Sequence, residues 1–308
     1  MPARLPSSRQ ARRRVDGVLL LDKPAGLTSN AALQRAKRLF AADKAGHSGT
    51  LDPLATGLLP LCFGEATKFA QVLLDAHKEY VATVRFGVAT TTGDAEGTTV
   101  RSCAASFGRA ELEAALPRFV GTIAQTPPAY SALKYQGRNY YDYARAGVEI
   151  PRVPREVVVD AIELLDWAPP LAVLRIACGK GTYVRVLAED LAAAVGNCAH
   201  LVALRRTVAG PFALAGAVTL EALEAMEAAA RDALLLPADA PLAAVARVDV
   251  DAATARALAE GRTGNAPAGA PGKYRCYGPR GRFVGLVESA GGALRALRLA
   301  RTDAPAEP

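Results

Sequence analysis

A glycine- and proline-rich segment surrounds a single carboxylate early in the chain. Lys44 to Pro60 is KAGHSGTLDPLATGLLP, which places Asp52 between Leu51 and Pro53. Glycine lets the backbone approach a ligand, proline stiffens a loop, and apolar neighbours drive the carboxylate toward solvent or a cation. Such a carboxylate can attack an electrophile or stabilise positive charge without a cofactor. The ordinary alternative is a turn that caps a helix beginning at Pro53.

Arg185 is a candidate counter-ion for Asp52. It follows a predicted strand and the turn Gly179-Lys180-Gly181-Thr182. Because a guanidinium is always charged, it can hold a desolvated carboxylate ionised. A surface position is the alternative for a lone arginine. The turn lacks the order G-x-x-x-x-G-K-[ST], so a nucleotide-binding loop is weakly indicated.

The elements that must position these residues mix strands and helices without regular alternation. Apolar runs predict strands at 18–21, 79–88 and 172–178, and capping and helical spacing predict helices after Thr28 and Thr182. We therefore expect an α+β fold with a central mixed, largely antiparallel sheet. The expected core-facing side chains are Leu33, Ala36, Phe40, Tyr80, Ala82, Val84, Phe86, Val88, Ala172, Leu174, Ile176, Cys178, Val184, Leu187 and Leu191.

The 308 residues leave room for a large domain and a small one. Residues 1–15 are rich in arginine and predict a disordered basic arm. A large domain is expected over 16–236. The run 234–242, with its two prolines, is typical of a linker, and short strand-like pieces between glycine and proline clusters predict a small β-rich domain over 242–302. We expect the chain to fray after residue 301.

The net charge of +7 favours a polyanionic partner, although five arginines precede the first acid and leave +2 for the rest. Nucleic acid and a merely solvated tail are about equally supported by charge alone. The N-terminus has no apolar leader and no apolar run is long enough to span a bilayer, which predicts a cytoplasmic protein. An arginine-rich organellar transit peptide is the alternative.

The five cysteines form no C-x-x-C pair, and the chain has three histidines. This composition predicts isolated thiols in a reducing cytosol, with no disulfide framework and no metal centre. No cofactor is expected. The cysteines are Cys62, Cys103, Cys178, Cys198 and Cys276.

The segment around Asp52 resembles the catalytic loop of the TruB-type pseudouridine synthases, which isomerise one uridine in the TΨC loop of tRNA. The resemblance covers most of residues 16–210 in order. The other resembling segments are GVLLLDKPAGLTS from Gly17, GEATK from Gly64, KEY from Lys78, PAYSALKYQGRNYYDY from Pro128, KGTYVR from Lys180 and LRR from Leu204.

The resemblance implies a pseudouridine synthase fold and a role for each site residue. Asp52 would attack the uracil or the ribose, Arg185 would pair with it, and Tyr80 would lie against the base and remove the C5 proton. The implied substrate-binding residues are His47, which fills the place of the flipped base, Tyr183 and Leu204, which line the uracil pocket, Lys23, which shapes its floor, and Gly49. Core packing is the alternative for the tyrosines and Leu204, and loop capping is the alternative for His47.

Five of the nine tyrosines lie between Tyr130 and Tyr143, interleaved with Lys134 and Arg138. Tyrosine and arginine together suit stacking and phosphate contacts with an RNA loop, although some of these rings must pack on the sheet. The resemblance implies a thumb-like RNA-binding insertion at about 124–152. It also implies a PUA-like domain at 242–302, whose few basic residues weaken the expected RNA contact there.

The sequence therefore predicts a monomeric tRNA uridine-55 pseudouridine synthase that needs no obligate protein partner and no membrane. A guide-RNA-directed synthase of the same superfamily and a tRNA-folding chaperone without essential catalysis are the alternatives. A glycosidase would need a second carboxylate poised beside Asp52, and no such residue is evident in the sequence.

Overall fold

A computed structural model of the chain describes residues 11–104, 107–266 and 271–301. Residues 1–10 of the predicted arm and the predicted frayed end, 302–308, lie outside the described residues. Residues 11–15, also assigned to that arm, lie against the domain instead, although only Val15 among them is buried. The Arg13 main-chain nitrogen donates to the Ala41 carbonyl at 2.8 Å, and Val15 is buried. The arm prediction followed charge alone and overlooked the apolar anchor at Val15.

Most of the chain up to residue 219 builds one large sheet and two small hairpins. The strands are β1 (Gly17–Lys23), β2 (Ala45–His47), β3 (Thr56–Phe63), β4 (Lys78–Phe86), β5 (Val88–Thr90), β6 (Thr99–Ser102), β7 (Gly121–Gln125), β8 (Lys134–Tyr135), β9 (Arg138–Asn139), β10 (Arg155–Ala168), β11 (Leu171–Cys178), β12 (Ala199–Ala209), β13 (Phe212–Ala213) and β14 (Val218–Thr219).

The helices cover the sheet and continue into the C-terminal unit. The α-helices are α1 (Ser29–Leu39), α2 (Ala70–Asp75), α3 (Arg109–Ala115), α4 (Tyr140–Arg145), α5 (Val184–Ala194), α6 (Leu220–Ala225), α7 (Ala228–Asp232) and α8 (Ala252–Ala259). Short 3-10 helices lie at Gly64–Lys68, Leu116–Phe119, Leu214–Gly216, Ala240–Leu242 and Pro279–Gly281.

The large sheet has the order β14-β1-β3-β12-β4-β11-β10-β7, with β2 joined to β3 and β13 to β12. The pairs β1–β14 and β3–β12 are parallel, and the other pairs are antiparallel. Strand β3 is apolar on both faces because Leu59 packs in one core cluster and Leu58 in another. The predicted mixed, largely antiparallel sheet is therefore confirmed.

Two helices attach to this sheet through the side chains that their spacing predicted. Thr28 caps α1, whose Ala32, Leu33 and Ala36 are buried. Helix α5 buries Leu187 and its neighbours against β4 and β11. The predicted strand 79–88 ends at Phe86, because Gly87 has a φ of +87° and redirects the chain into the β5–β6 hairpin.

A smaller sheet of order β15-β17-β18-β19-β16 forms the C-terminal unit. Its strands are β15 (Ala246–Asp249), β16 (Gly264–Asn265), β17 (Gly272–Tyr277), β18 (Phe283–Ala290) and β19 (Ala293–Leu299). Helix α8, which the sequence analysis missed, packs Leu258 into its core. The segment predicted as a linker is also packed, since Leu236 exchanges two main-chain hydrogen bonds of 2.9 Å with Val18.

One expectation about cysteine is wrong. Cys103 and Cys198 form a disulfide with 6.0 Å between their Cα atoms, whereas Cys62, Cys178 and Cys276 are free and buried. The bonded pair is separated by 95 residues. Cys103 directly follows β6 and Cys198 directly precedes β12, so the tertiary fold creates the pair and no local spacing could reveal it.

Candidate active site

The Asp52 segment is an irregular connection between β2 and β3, fixed from below by α1. The Ser29 hydroxyl accepts from the Leu51 main-chain nitrogen at 2.8 Å and donates to the Leu51 carbonyl at 3.0 Å. The Ala55 nitrogen donates to the Asp52 carbonyl at 3.0 Å, which closes a turn. The helix considered as the alternative at Pro53 does not form. Asp52 therefore stands on a tight, anchored turn.

Arg185, in the first turn of α5, reaches this turn. Its Nη2 lies 3.0 Å from Asp52 Oδ2, and its Nη1 lies 3.6 Å from Asp94 Oδ2. The same two nitrogens donate at 2.8 Å to the carbonyls of Thr92 and Tyr130. The Arg185 side chain is 7% exposed, and two carbonyls and two carboxylates fix its orientation.

Asp94 is a site residue that the sequence analysis missed. Its carboxylate is buried, accepts from the Thr92 hydroxyl at 2.5 Å and accepts from the Glu96 nitrogen at 3.1 Å. The polar residues that follow β5 show no spacing that indicates a functional site. A bridge between Asp94 and Leu201 of β12 brings it to Arg185, and that pairing is a property of the tertiary fold.

Lys23 lies beneath the turn and is fully buried. Its ammonium donates to the carbonyls of Leu27 at 2.6 Å, Pro24 at 2.8 Å and Pro53 at 3.4 Å. Burial lowers the pKa of Lys23 to about 8, and the charge of Asp52 acts in the opposite direction. Lys23 thus ties the end of β1 to the Asp52 turn from inside the protein.

Asp52 opens into a groove of about 320 Å³. Among the predicted site residues, Gly49, Tyr80, Tyr183, Arg185 and Leu204 line it together with Asp52. The full lining is Gly49, Thr50, Leu51, Asp52, Leu74, Lys78, Tyr80, Ser131, Ala132, Leu133, Gly179, Lys180, Gly181, Thr182, Tyr183, Val184, Arg185, Leu204 and Arg206.

Strand pairing explains how β4 and β12 place Tyr80, Leu204 and Arg206 in the groove. Tyr80 lies opposite Arg206, and Ala82 lies opposite Leu204, so the side chains of both pairs share one face of the sheet. Tyr80 and Leu204 contact both large core clusters at their junction. The floor of the groove is thus apolar where Tyr80 and Leu204 line it.

Burial dominates the electrostatics of the groove. It raises the pKa of the Asp52 carboxyl, the Arg185 cation opposes this effect, and the Asp94 charge adds to it. Burial also raises the pKa values of the Tyr80 and Tyr183 phenols. The Asp52 side chain nevertheless remains 40% exposed, so a substrate can reach it.

Four predicted substrate-binding residues lie outside this groove, namely Lys23, which is buried beneath the Asp52 turn, and His47, Lys134 and Arg138. His47 ends β2 and is half-buried, and burial, with a contribution from Arg206, lowers the pKa of its imidazole. Lys134 and Arg138 are exposed on the β8–β9 hairpin, where the Arg138 guanidinium lies 4.9 Å from the centre of the Tyr143 ring. Gly137, at the hairpin tip, has a φ of +82°.

Lys78 and Arg206 also line the groove, although the sequence analysis gave them no role. The Lys78 ammonium donates to the carbonyls of Leu74 at 2.6 Å and Ala76 at 2.5 Å. Both residues belong to resembling segments, KEY and LRR, which could have singled them out. Their polar and charged neighbours, His77 and Glu79 for Lys78 and Arg205 and Thr207 for Arg206, gave no sign that both side chains enter the site.

Across the described residues, no group of three or more His, Cys, Asp or Glu side chains is arranged to hold a metal ion. In the same parts of the chain, no helix combines the length and the apolar character needed to cross a membrane.

The architecture is the pseudouridine synthase fold. The crystal structure of a Cbf5-Nop10-Gar1 complex matches with a TM-score of 0.71 at 25% identity, over 92% of this chain and 84% of the other. The crystal structure of the archaeal box H/ACA sRNP Nop10-Cbf5 complex matches the fold with a TM-score of 0.68 at 24% identity, over 92% and 85%.

The chain belongs to the TruB family. Residues 37–184 match the TruB family pseudouridylate synthase N-terminal domain, residues 185–243 the tRNA pseudouridylate synthase B C-terminal domain, and residues 245–301 the tRNA pseudouridine synthase II C-terminal domain. The tRNA pseudouridine synthase B of Thiobacillus denitrificans is 55% identical over 95% of this chain and 98% of its own length. The enzyme of the same name from Burkholderia mallei is 52% identical over 97% and 98%.

Proposed function

We propose that this protein isomerises uridine to pseudouridine at position 55, in the TΨC loop of tRNA. The observation that carries the proposal is an accessible carboxylate, Asp52, held 3.0 Å from the buried Arg185 guanidinium in a groove with an apolar floor. Relatives more than half identical over nearly their full length bear the name tRNA pseudouridine synthase B.

The reaction breaks the bond from uracil N1 to ribose C1′, turns the base and forms a bond from C5 to C1′. The proton on C5 leaves and N1 gains one, so the atoms balance without an external oxidant or reductant. Asp52 would form a covalent bond to the uracil or the ribose, or stabilise positive charge on the sugar. Arg185 would orient Asp52 and oppose the cost of its burial.

Tyr80 is suited to the proton transfer from C5. Its ring lies on the groove floor, and its hydroxyl lies beside the cation of Arg206. The group that accepts the proton must come within hydrogen-bonding distance of uracil C5. A uracil that lies against the Tyr80 ring meets this requirement. Tyr183 and Leu204 would enclose the uracil, and Gly49 would let the backbone approach it.

The target base must leave the tRNA loop before it can enter the groove. His47 would occupy the space that the base vacates, as a neutral ring suited to stacking. Lys134 and Arg138 would contact the RNA backbone from the exposed β8–β9 hairpin. Lys23 would act from within the protein by fixing the Asp52 turn.

We divide the chain into a catalytic domain at 16–236, with an RNA-binding insertion at about 124–152, and a PUA-like domain at 242–302. The insertion presents clustered tyrosines and arginines, and the C-terminal unit has its own apolar core. We propose a cytoplasmic monomer that acts without a protein partner.

The geometry argues against Asp94 as the second carboxylate of a glycosidase. Its side chain is 5% exposed and lies against the Arg185 guanidinium. A general acid must reach the leaving-group oxygen, and Asp94 is enclosed by its own hydrogen bonds.

The test uses purified protein and an unmodified tRNA transcript labelled with tritium at uracil C5. Wild type alone should release tritium and form pseudouridine at position 55, whereas Asp52→Asn should bind the transcript without turnover. A transcript with cytidine at position 55 is the matched control. Activity that required a guide RNA or a second protein would contradict the proposal, as would full turnover by Asp52→Asn.

A further inference from the structure

Arg206 is a buried cation at the back of the groove. It lies on β12, is 1% exposed and lines the groove together with Asp52 and Tyr80. Burying a guanidinium is unfavourable unless its N–H donors are hydrogen-bonded and its charge interacts favourably with neighbouring groups. The Arg206 guanidinium contacts Gly49 and Leu58, which flank the Asp52 turn, and the Tyr80 hydroxyl.

The Arg206 guanidinium joins the two ends of the segment that carries Asp52. Its Nε donates to the Leu58 carbonyl at 2.7 Å, and its Nη2 donates to the Gly49 carbonyl at 3.4 Å. Gly49 has a φ of +81°, and a Cβ built there would lie 3.4 Å from Arg206 Nη1. The chain therefore passes directly over the guanidinium as it enters the Asp52 turn.

The same guanidinium acts on Tyr80. The two residues are directly opposite in the β4–β12 register, so their side chains lie on one face of the sheet. Burial raises the pKa of the Tyr80 phenol, and the charge and hydrogen bond of Arg206 counteract this. A cation in this place stabilises negative charge on the hydroxyl oxygen and fixes its direction.

We propose that Arg206 is a positioning residue that sets the distance between Asp52 and Tyr80 by holding both ends of the Asp52 segment and orienting the Tyr80 hydroxyl. The inference rests on the proposed isomerisation. Lysine could keep the charge but could not bond both carbonyls and face the phenol, because its single ammonium lacks the fork of a guanidinium.

The experiment compares wild type with Arg206→Lys and Arg206→Gln, with Arg175→Lys as the control for an exposed arginine of the same sheet. Arg175 pairs with Glu163 on β10, away from the groove lining. For each protein, tRNA affinity, single-turnover pseudouridine formation and thermal unfolding are measured. The rate is also measured with deuterium at C5 of the target uridine.

Arg206→Lys should unfold at a temperature close to that of wild type and bind tRNA equally well. Its single-turnover rate should fall about 100-fold, the effect of a misplacement near 1 Å. The C5 isotope effect should exceed that of wild type, because a misdirected Tyr80 hydroxyl makes proton removal slower than the other steps. A role in stability alone would not raise this isotope effect.

A wild-type rate in Arg206→Lys would overturn the inference, as would a slower rate with an unchanged isotope effect. Unfolding of both Arg206 variants would assign the guanidinium to stability and would also overturn it. If wild type itself formed no pseudouridine, the proposed function would fail instead, and the two failures are thereby distinguished.

Discussion

The Arg185 guanidinium lies between two carboxylates of unequal exposure, 3.0 Å from Asp52 Oδ2 and 3.6 Å from Asp94 Oδ2. The Asp52 side chain is 40% exposed, and that of Asp94 is 5% exposed. One cation is therefore fixed from behind by a buried carboxylate while it faces an accessible one. Because it is already oriented, little reorganisation is needed when charge develops during the reaction.

Arg185→Lys should slow the chemical step by about 100-fold and leave tRNA affinity nearly unchanged. An ammonium cannot contact Asp52, Asp94 and the carbonyls of Thr92 and Tyr130 together. Single-turnover assays and filter binding separate the two effects. The control is Arg109→Lys, which alters an exposed pair with Glu113 on α3. A loss confined to tRNA affinity would contradict the role given to Arg185.

Asp52→Asn should reduce turnover at least about 10³-fold. The same substitution should also stabilise the fold near neutral pH. Burial raises the folded-state pKa of Asp52 above its ordinary value, so stability falls as pH rises from that ordinary value through the folded pKa. A neutral side chain removes this cost, and a gain of roughly 0.5–2 kcal/mol is typical of a single stabilising change.

Urea unfolding of wild type and Asp52→Asn at pH 4 and pH 7 checks the sign. The variant's advantage should be larger at pH 7, where the wild-type carboxyl is ionised. A variant that is less stable than wild type at pH 7 would mean that the ion pair with Arg185 outweighs burial.

The elements of this fold follow from local sequence signals. Periodicity located β4, β11 and α5, and the resemblance located the groups that converge on the groove. Asp94 and Arg206 escaped because their roles depend on which strands become neighbours. Asp94 reaches Arg185 through its bridge to Leu201, and Arg206 reaches Tyr80 through strand register. Long-range pairing of this kind leaves no signal in spacing.

Lys78→Met should flatten the pH dependence of stability above pH 8. Burial lowers the pKa of Lys78 to about 8, below the ordinary 10.5. Between these values the unfolded chain binds more protons, so the free energy of unfolding of wild type rises with pH. The contribution of Lys78 is on the order of 3 kcal/mol.

Urea titrations of Lys78→Met from pH 7 to pH 10.5 measure this slope. Wild type should show the steeper dependence of the free energy of unfolding on pH. The control Lys180→Met, which changes an exposed lysine that pairs with Asp75, should show the same slope as wild type. Lys23, whose pKa is also lowered to about 8, would supply the slope that remains in Lys78→Met. Equal slopes in all three proteins would show that Lys78 titrates as in the unfolded chain.

Cys103→Ser should lower the free energy of unfolding of the oxidised protein by about 2–4 kcal/mol, because the disulfide closes a long loop. Its cysteines are 95 residues apart. Added reductant should remove the difference between variant and wild type, which makes the reduced pair the matched control. Denatured oxidised wild type should show the three thiols of Cys62, Cys178 and Cys276. A count of five would contradict the bond.

Gly57→Ala should damage both stability and turnover, because the end of the Asp52 segment passes against β12. Gly57 has a φ of +96°, and a Cβ there would lie 2.3 Å from the Arg206 carbonyl oxygen. Gly196, with a φ of +68° and nothing within 4 Å of a built Cβ, is the matched control for backbone strain alone. Gly196→Ala should cost roughly 1–2 kcal/mol and keep the wild-type rate.

Gly57→Ala should cost at least about 1–3 kcal/mol more than Gly196→Ala, because the backbone of β12 must shift to admit the methyl group. That shift moves Arg206 and the Asp52 turn together, so the single-turnover rate should fall as well. Thermal unfolding and rapid-quench assays on the two variants check both effects. Equal stability losses would mean that strain, and not the contact with Arg206, sets the need for glycine at this position.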